Sequence, residues 1–236
     1  MGPEPNAKIT LYTNHRCPWA HRAHIALQEL GLEFEEVIID LDKPRTAEYL
    51  RINPRGLVPS LSYNGEIITE SAIVAQFLAD SFPSALLPPS TDADGPLFRA
   101  RVAFFVDAYF SKVNGIYSKA LFAKTEEEAG AFAESLVAAV VKEIEPLLAN
   151  ASPFFGGSKK LTLAETLTGS FVLRLVTFAQ RGLLPEGLAV ALRDKAPNFS
   201  KWSQAVVNHP SVLSIWDEDA VLRSTKARIE KLRTGA

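Results

Sequence analysis

Cys17 is the only cysteine in the 236-residue chain, and its surroundings, Thr13-Asn14-His15-Arg16-Cys17-Pro18-Trp19-Ala20-His21-Arg22, are those of a nucleophile. Residues 7–12 read as a buried strand, and residues 23–30 carry apolar side chains at helical spacing closed by Gly31, so Cys17 falls at or near a helix N-cap. Pro18 then takes the first helical position, whose N–H has no partner inside the helix. A thiol placed there faces unpaired N–H groups and the positive end of the helix dipole, which favour the thiolate, the nucleophilic form. The competing reading of a lone cysteine is a small buried hydrophobe. The strand, the loop, the Cys-Pro pair and the amphipathic helix together weigh against it. Ala20 stands where a dithiol motif would carry its second cysteine, so any disulfide of Cys17 is with an outside thiol.

The neighbours add less. His21 and His24 are near enough to be read as bases, but both lie downstream on the helix and count for less than the dipole. Trp19 reads either as a wall beside the thiol or as core packing. Arg22 reads as one half of a structural salt bridge.

The elements that must position Cys17 follow from patterning. Residues 34–40 form a second strand, residues 46–51 a short helix, and residues 57–63 and 66–69 two strands joined by Asn64-Gly65, the pair best suited to a two-residue hairpin turn. A helix from Glu70 to about Phe82 carries Ile73, Val74, Phe77 and Leu78 as its apolar stripe. The order is βαβαββα over residues 1–83. Residues 84–93, rich in Pro, Ser and Thr, read as a linker.

Beyond the linker, over residues 94–236, the strand signals stop. Helical patterns run over residues 96–122 and 125–148, the second opening on Glu126-Glu127-Glu128, which suits the dipole. Thr162-Leu163-Ala164-Glu165 matches a capping box at the head of a helix reaching Gln180. Helices over residues 188–194, 198–208 and 211–216 and a charged tail helix follow. On the first long helix Phe104, Phe105, Tyr109, Phe110 and Tyr117 recur, mostly as core. Arg174 sits in the apolar run Phe171–Val176, where an unpaired charge is expensive, so it needs a carboxylate partner or a wet cavity.

Length allows one large domain or two modest ones. With 25 Lys and Arg against 27 Asp and Glu, the formal net charge is −2, which gives no nucleic-acid footprint. A single cysteine fits a reducing compartment. Residues 1–6 lack the regions of a signal peptide, and no apolar run approaches the roughly 20 residues of a membrane span, so a soluble cytoplasmic protein without membrane partners is expected. No metal site is expected.

Cys17-Pro18-Trp19-Ala20-His21-Arg22, Asn53-Pro54-Arg55-Gly56-Leu57-Val58-Pro59 and Glu70-Ser71-Ala72-Ile73 stand in the order seen in cytosolic glutathione transferases. The cysteine, where other classes have tyrosine or serine, resembles the omega class. That resemblance covers almost the whole chain. It implies an α+β thioredoxin-like N-terminal domain that binds glutathione, an all-α C-terminal domain that carries the second-substrate site, and a homodimer. It implies glutathione as co-substrate, with no tightly bound cofactor.

The resemblance also assigns residues. Val58-Pro59 resembles a cis-proline loop whose exposed backbone pairs with the cysteinyl part of glutathione, in the manner of an added strand. A trans proline at a strand end is the alternative from sequence. Glu70 and Ser71 would hold the γ-glutamyl end, although a plain helix cap reads equally well. Lys43 resembles the lysine that reaches the glycine carboxylate, against a solvated surface lysine. Trp19 would flank the glutathione, and Tyr109, Arg174 and Trp216 would shape the pocket of a small hydrophobic or mixed-disulfide acceptor.

The implied activity is thiol transfer through a Cys17 mixed disulfide, with deglutathionylation and dehydroascorbate reduction as candidate reactions and conjugation weaker. The alternative is a redox-sensing or glutathione-binding protein without turnover, resembling chloride intracellular channel proteins.

Overall fold

The computed structural model describes residues 7–234. Residues 1–6, read above for a leader pattern, lie outside the described residues. Strands β1 (Ile9–Thr13), β2 (Glu35–Ile38), β3 (Ser60–Tyr63) and β4 (Glu66–Thr69) form one sheet in the order β2-β1-β3-β4. β1 and β2 are parallel, and the other pairs are antiparallel. Helices α1 (Pro18–Glu29), α2 (Ala47–Ile52) and α3 (Ser71–Ser81) complete the thioredoxin-like βαβαββα order. The hairpin turns on Asn64 (φ 51°) and Gly65 (φ 92°), both in the left-handed region that such a turn requires.

Two local expectations need correction. β3 starts at Ser60 rather than Leu57, because Val58-Pro59 is a cis peptide in a loop tied down by side chains. Ile73 is 57% exposed, and the buried face of α3 is Ser71, Val74, Ala75, Leu78 and Ala79. Residues 84–93 connect the halves, but not as a solvated tether. Leu86 and Leu87 are buried, and the Leu86 carbonyl accepts from Leu163 N–H at 2.8 Å.

The second half is helical, with α4 (Gly95–Ala108), α5 (Gly115–Leu121), α6 (Glu126–Ala139), α7 (Leu163–Gln180), α8 (Leu188–Lys195), α9 (Pro197–Val207), α10 (Pro210–Leu213) and α11 (Glu218–Thr234). The two long helices expected over 96–122 and 125–148 are interrupted by wide turns at Tyr109–Asn114 and Val140–Ile144. The second continues as a tight turn at Glu145–Leu148, where Pro146 has no N–H to give an α-turn. Among the described residues, no helix is long and apolar enough to cross a membrane.

α7 is the central helix, in contact with α1, α3, α4, α8, α9 and α10. Gly169 permits that crowding, since a Cβ there would meet Val206 at 3.2 Å and Val212 at 3.5 Å. Its start is held by the expected capping box, with Glu165 accepting from Thr162 N–H at 2.9 Å and Thr162 Oγ1 at 2.6 Å. The second oxygen of Glu165 accepts from Phe155 N–H at 2.8 Å and from Trp202 Nε1–H at 2.7 Å. One fully buried carboxylate thus serves four donors from three segments.

Removing that carboxylate strands buried donors that each cost about 1–3 kcal/mol. Glu165→Ala is expected to lower stability by roughly 3 kcal/mol or more, seen by calorimetry as a Tm lower by on the order of 6 °C or more. Glu165→Gln, which keeps one oxygen, is expected to lose less.

His21 and His24 on α1 are buried rather than poised as bases. Desolvation lowers the pKa of His21 well below its ordinary value and that of His24 to about 3, with the nearby Arg174 adding to the first and His15 to the second. Below about pH 6.5 the unfolded chain binds protons on both rings that the native chain refuses. Stability is therefore expected to fall as pH drops from about 6.5 toward 5, by on the order of 1 kcal/mol per pH unit for each ring. Denaturant titrations at several pH values check this, and a flat profile would contradict it.

Candidate active site

The site begins where β1 ends. Asn14 binds the Ile39 carbonyl through Nδ2 at 2.9 Å, while its Oδ1 accepts from Arg16 N–H at 3.0 Å and its carbonyl accepts from Cys17 N–H at 3.0 Å. These bonds set Cys17 at the N-cap with extended φ and ψ and Pro18 at the first helical position. The sulfur accepts no bond from the first-turn N–H groups. It lies 4.0 Å from the Val58 carbonyl instead, facing the cis-proline loop.

That loop is built by residues the sequence reading did not single out. Tyr49 donates to the Leu57 carbonyl at 2.5 Å, and Asn53 Nδ2 donates to the same carbonyl at 2.9 Å and to Ser60 Oγ at 3.0 Å. Arg45 donates through Nε to the Gly56 carbonyl at 2.9 Å and through Nη1 to the Asp40 and Lys43 carbonyls, each at 2.7 Å. Gly56 has φ +64°, and a Cβ there would press on Arg45 at 3.0 Å. The sequence signals for this scaffold were Asn53-Pro54 and Gly56 within the quoted motif, the glycine favouring the cis bond that the structure has.

Across the cleft, Ser71 opens α3 behind Glu70, whose φ of 67° is left-handed and costly for a non-glycine residue. That turn aims both residues at the cleft. Glu70 pairs with Arg55, and Ser71 Oγ accepts from Arg22 Nη1 at 3.0 Å.

Arg22 is not the salt bridge expected, since no described ion pair includes it. It is buried, donates to the Leu167 carbonyl at 2.7 Å, and lies 4.5 Å from the Trp19 ring, 4.3 Å from Phe110 and 5.2 Å from Phe171. Arg174 is likewise buried without a described carboxylate partner. It donates to the Ser170 and Arg16 carbonyls at 2.9 and 3.0 Å, with Trp216 5.0 Å from its guanidinium. Burial pushes Arg22 down to about 9 and Arg174 to about 10.

Two cavities meet at the sulfur. One of about 380 Å³ is lined by Cys17, Trp19, Arg45, Asn53, Val58, Pro59, Glu70 and Ser71, among others. The other, about 690 Å³, is lined by Cys17, Trp19, Tyr117, Phe171, Arg174, Phe178, Arg228 and Lys231, among others. The structure therefore brings Trp19, Val58, Pro59, Glu70, Ser71 and Arg174 to the cleft. Three expected residues are placed elsewhere. Lys43 is exposed, 3.3 Å from Asp40, and Arg45 takes the place at the cavity wall. Tyr109 is fully buried, with its hydroxyl pushed above its ordinary pKa by desolvation, and Tyr117 lines the larger cavity instead. Trp216 does not line the cavity but backs Arg174.

The model of the glutathione S-transferase N-terminal domain matches residues 16–81. The chain is 29% identical to glutathione S-transferase omega-1 of Mus musculus over 210 residues, covering 89% of this chain and 80% of that protein. It is 30% identical to the probable glutathione S-transferase GSTU1 of Oryza sativa subsp. japonica over 219 residues, covering 87% and 91%. The crystal structure of glutathione transferase Omega 2C from Trametes versicolor matches with a TM-score of 0.81 at 27% identity, covering 95% of this chain and 100% of that one. These relatives are named as transferases, which favours an enzyme over the interaction-protein reading. The chain belongs to the glutathione transferase family and is an enzyme of omega-like type.

Proposed function

We propose that this transferase works by thiol-disulfide exchange through Cys17, with residues 1–83 holding glutathione and residues 94–236 the acceptor. The observation that carries the reading is the position of the sulfur at the junction of two cavities, facing the Val58 carbonyl and free of any capping bond. In the smaller cavity the Val58 backbone pairs with the cysteinyl part of glutathione, Glu70 and Ser71 hold the γ-glutamyl end, and Trp19 forms a wall. Arg45 supplies the cation first assigned to Lys43.

Cys17 thiolate attacks the glutathione sulfur of a mixed disulfide. The old S–S bond breaks, the acceptor thiolate leaves through the larger cavity and takes a proton from water, and Cys17 is left joined to glutathione. A second glutathione thiolate attacks that adduct, giving oxidised glutathione and restoring Cys17. The net change is one mixed disulfide and one glutathione converted to one thiol and one oxidised glutathione. The acceptor is a small hydrophobic molecule or a mixed disulfide, bounded by Phe171, Phe178 and Tyr117 with Arg174, backed by Trp216, at one side. Dehydroascorbate reduction fits the same thiol, and conjugation is the weaker activity because the enzyme thiol captures glutathione. A working thiol suits a reducing compartment, and the cytoplasm is the proposed location.

Turnover of a glutathione mixed disulfide by the wild type and by Cys17→Ala tests the reading. The variant is expected to lose activity by at least about a hundredfold, and the wild type treated with oxidised glutathione should gain the mass of one glutathione at Cys17. Retained turnover in the variant would sink the mechanism, and inactivity of both proteins would favour binding without turnover.

A homodimer is proposed as well. Ile73 on α3 and Leu97 and Phe104 on α4 are 57%, 53% and 60% exposed, on two helices that border one groove. Light scattering is expected to give the mass of two chains for the wild type and one chain for Phe104→Glu, and a monomeric wild type would refute the dimer.

A further inference from the structure

A cluster outside the cleft is left unused by this chemistry. Glu36 lies on the edge strand β2, and one of its carboxylate oxygens is 2.6 Å from His15 Nε2 and 3.3 Å from His24 Nε2. The two imidazoles meet edge to face at 5.4 Å. One candidate ligand atom from each of the three residues falls within 4.8 Å of the others. His24 is buried, with Thr13 Oγ1 2.9 Å from its Nε2 and no hydrogen-bond partner for its Nδ1, while His15 and Glu36 reach the surface.

We infer that His15, His24 and Glu36 form a binding site for a divalent transition cation of the zinc class. Two imidazoles and one carboxylate, with a position left for water, are a known ligand set for this ion. Zinc takes such ligands at about 2.0–2.2 Å, which in tetrahedral geometry sets neighbouring ligand atoms roughly 3.3–3.5 Å apart. His24 and Glu36 already stand at that span. His15 must shift to open its 2.6 Å contact with Glu36 and to stand at the same span from His24, which its exposed position on the loop allows. The proposal departs from the expectation of no metal site. The three ligands are scattered over the β1 exit loop, α1 and β2, with no motif spacing to announce them. A bound ion would tie the edge strand to the loop that carries Cys17 two residues further on.

The test is titration of the metal-free full chain with zinc chloride by calorimetry, and with cobalt chloride by visible absorption. One equivalent is expected, and cobalt should show the bands of a nitrogen and oxygen ligand set with no sulfur charge-transfer band. His15→Ala and Glu36→Gln, both surface changes checked for folding by circular dichroism, should each weaken binding by at least about tenfold. Cys17→Ala should leave binding unchanged. No binding by the wild type, unchanged affinity in both surface variants, or a sulfur band lost in Cys17→Ala would overturn the site. None of these outcomes depends on whether Cys17 performs disulfide exchange.

Discussion

Two buried guanidiniums without a carboxylate hold this structure in its working form. Burying an arginine costs energy unless its charge and its donors are met, and the usual remedy is an acidic partner. Here Arg22 is met by the Leu167 carbonyl, the Ser71 hydroxyl and three aromatic faces, and Arg174 by two carbonyls and the face of Trp216. Each cation–π contact contributes about 0.5–2 kcal/mol and leaves the positive charge uncancelled. An acidic partner would have satisfied the same donors and spent the field. That charge stays in the cleft, where Arg174 lines the larger cavity together with Cys17.

The same bonds join the halves of the molecule. Arg22 and Pro18 on α1 reach Leu167 and Ser170 on α7, and Arg174 on α7 reaches back to the Arg16 carbonyl beside the cysteine. α7 is in turn fixed at its head by Glu165, which also catches Trp202 on α9. The sulfur is thus positioned by a helix more than a hundred residues away, through side-chain donors of Arg22, Ser170 and Arg174 that reach backbone carbonyls. Preorganisation of this kind comes from rigid elements, not from the loop that carries the nucleophile.

What was legible in the sequence was what depends on local chemistry. Cys17-Pro18 marked a helix start, Asn64-Gly65 a hairpin, and Thr162 with Glu165 a capping box, because each is decided by residues within a turn of one another. What was not legible depends on long-range direction. Lys43 and Arg45 are equally cationic and two residues apart, and only the fold of residues 40–45 sends one to solvent and the other to the cavity wall. Tyr109 and Tyr117 lie two turns apart on one apolar stripe. The pattern marks both as buried but does not say which end of the stripe meets the cleft. Arg22 was misread because its neighbours in sequence say nothing of the carbonyl of Leu167.

In the proposed exchange, attacking, central and leaving sulfurs must lie roughly in line, with the glutathione sulfur in the middle and Cys17 at one end in both steps. The first step sends the acceptor thiolate out through the larger cavity. The second step must bring a glutathione in by the same route, since the smaller cavity is then filled by the adduct. One space therefore has to receive an apolar acceptor and a charged tripeptide in turn. Its lining meets both demands, with Phe171 and Phe178 offering apolar surface and Arg174, Arg228 and Lys231 offering cations to carboxylates. Neither buried histidine lines either cavity, so neither stands where it could serve the exchange as a base.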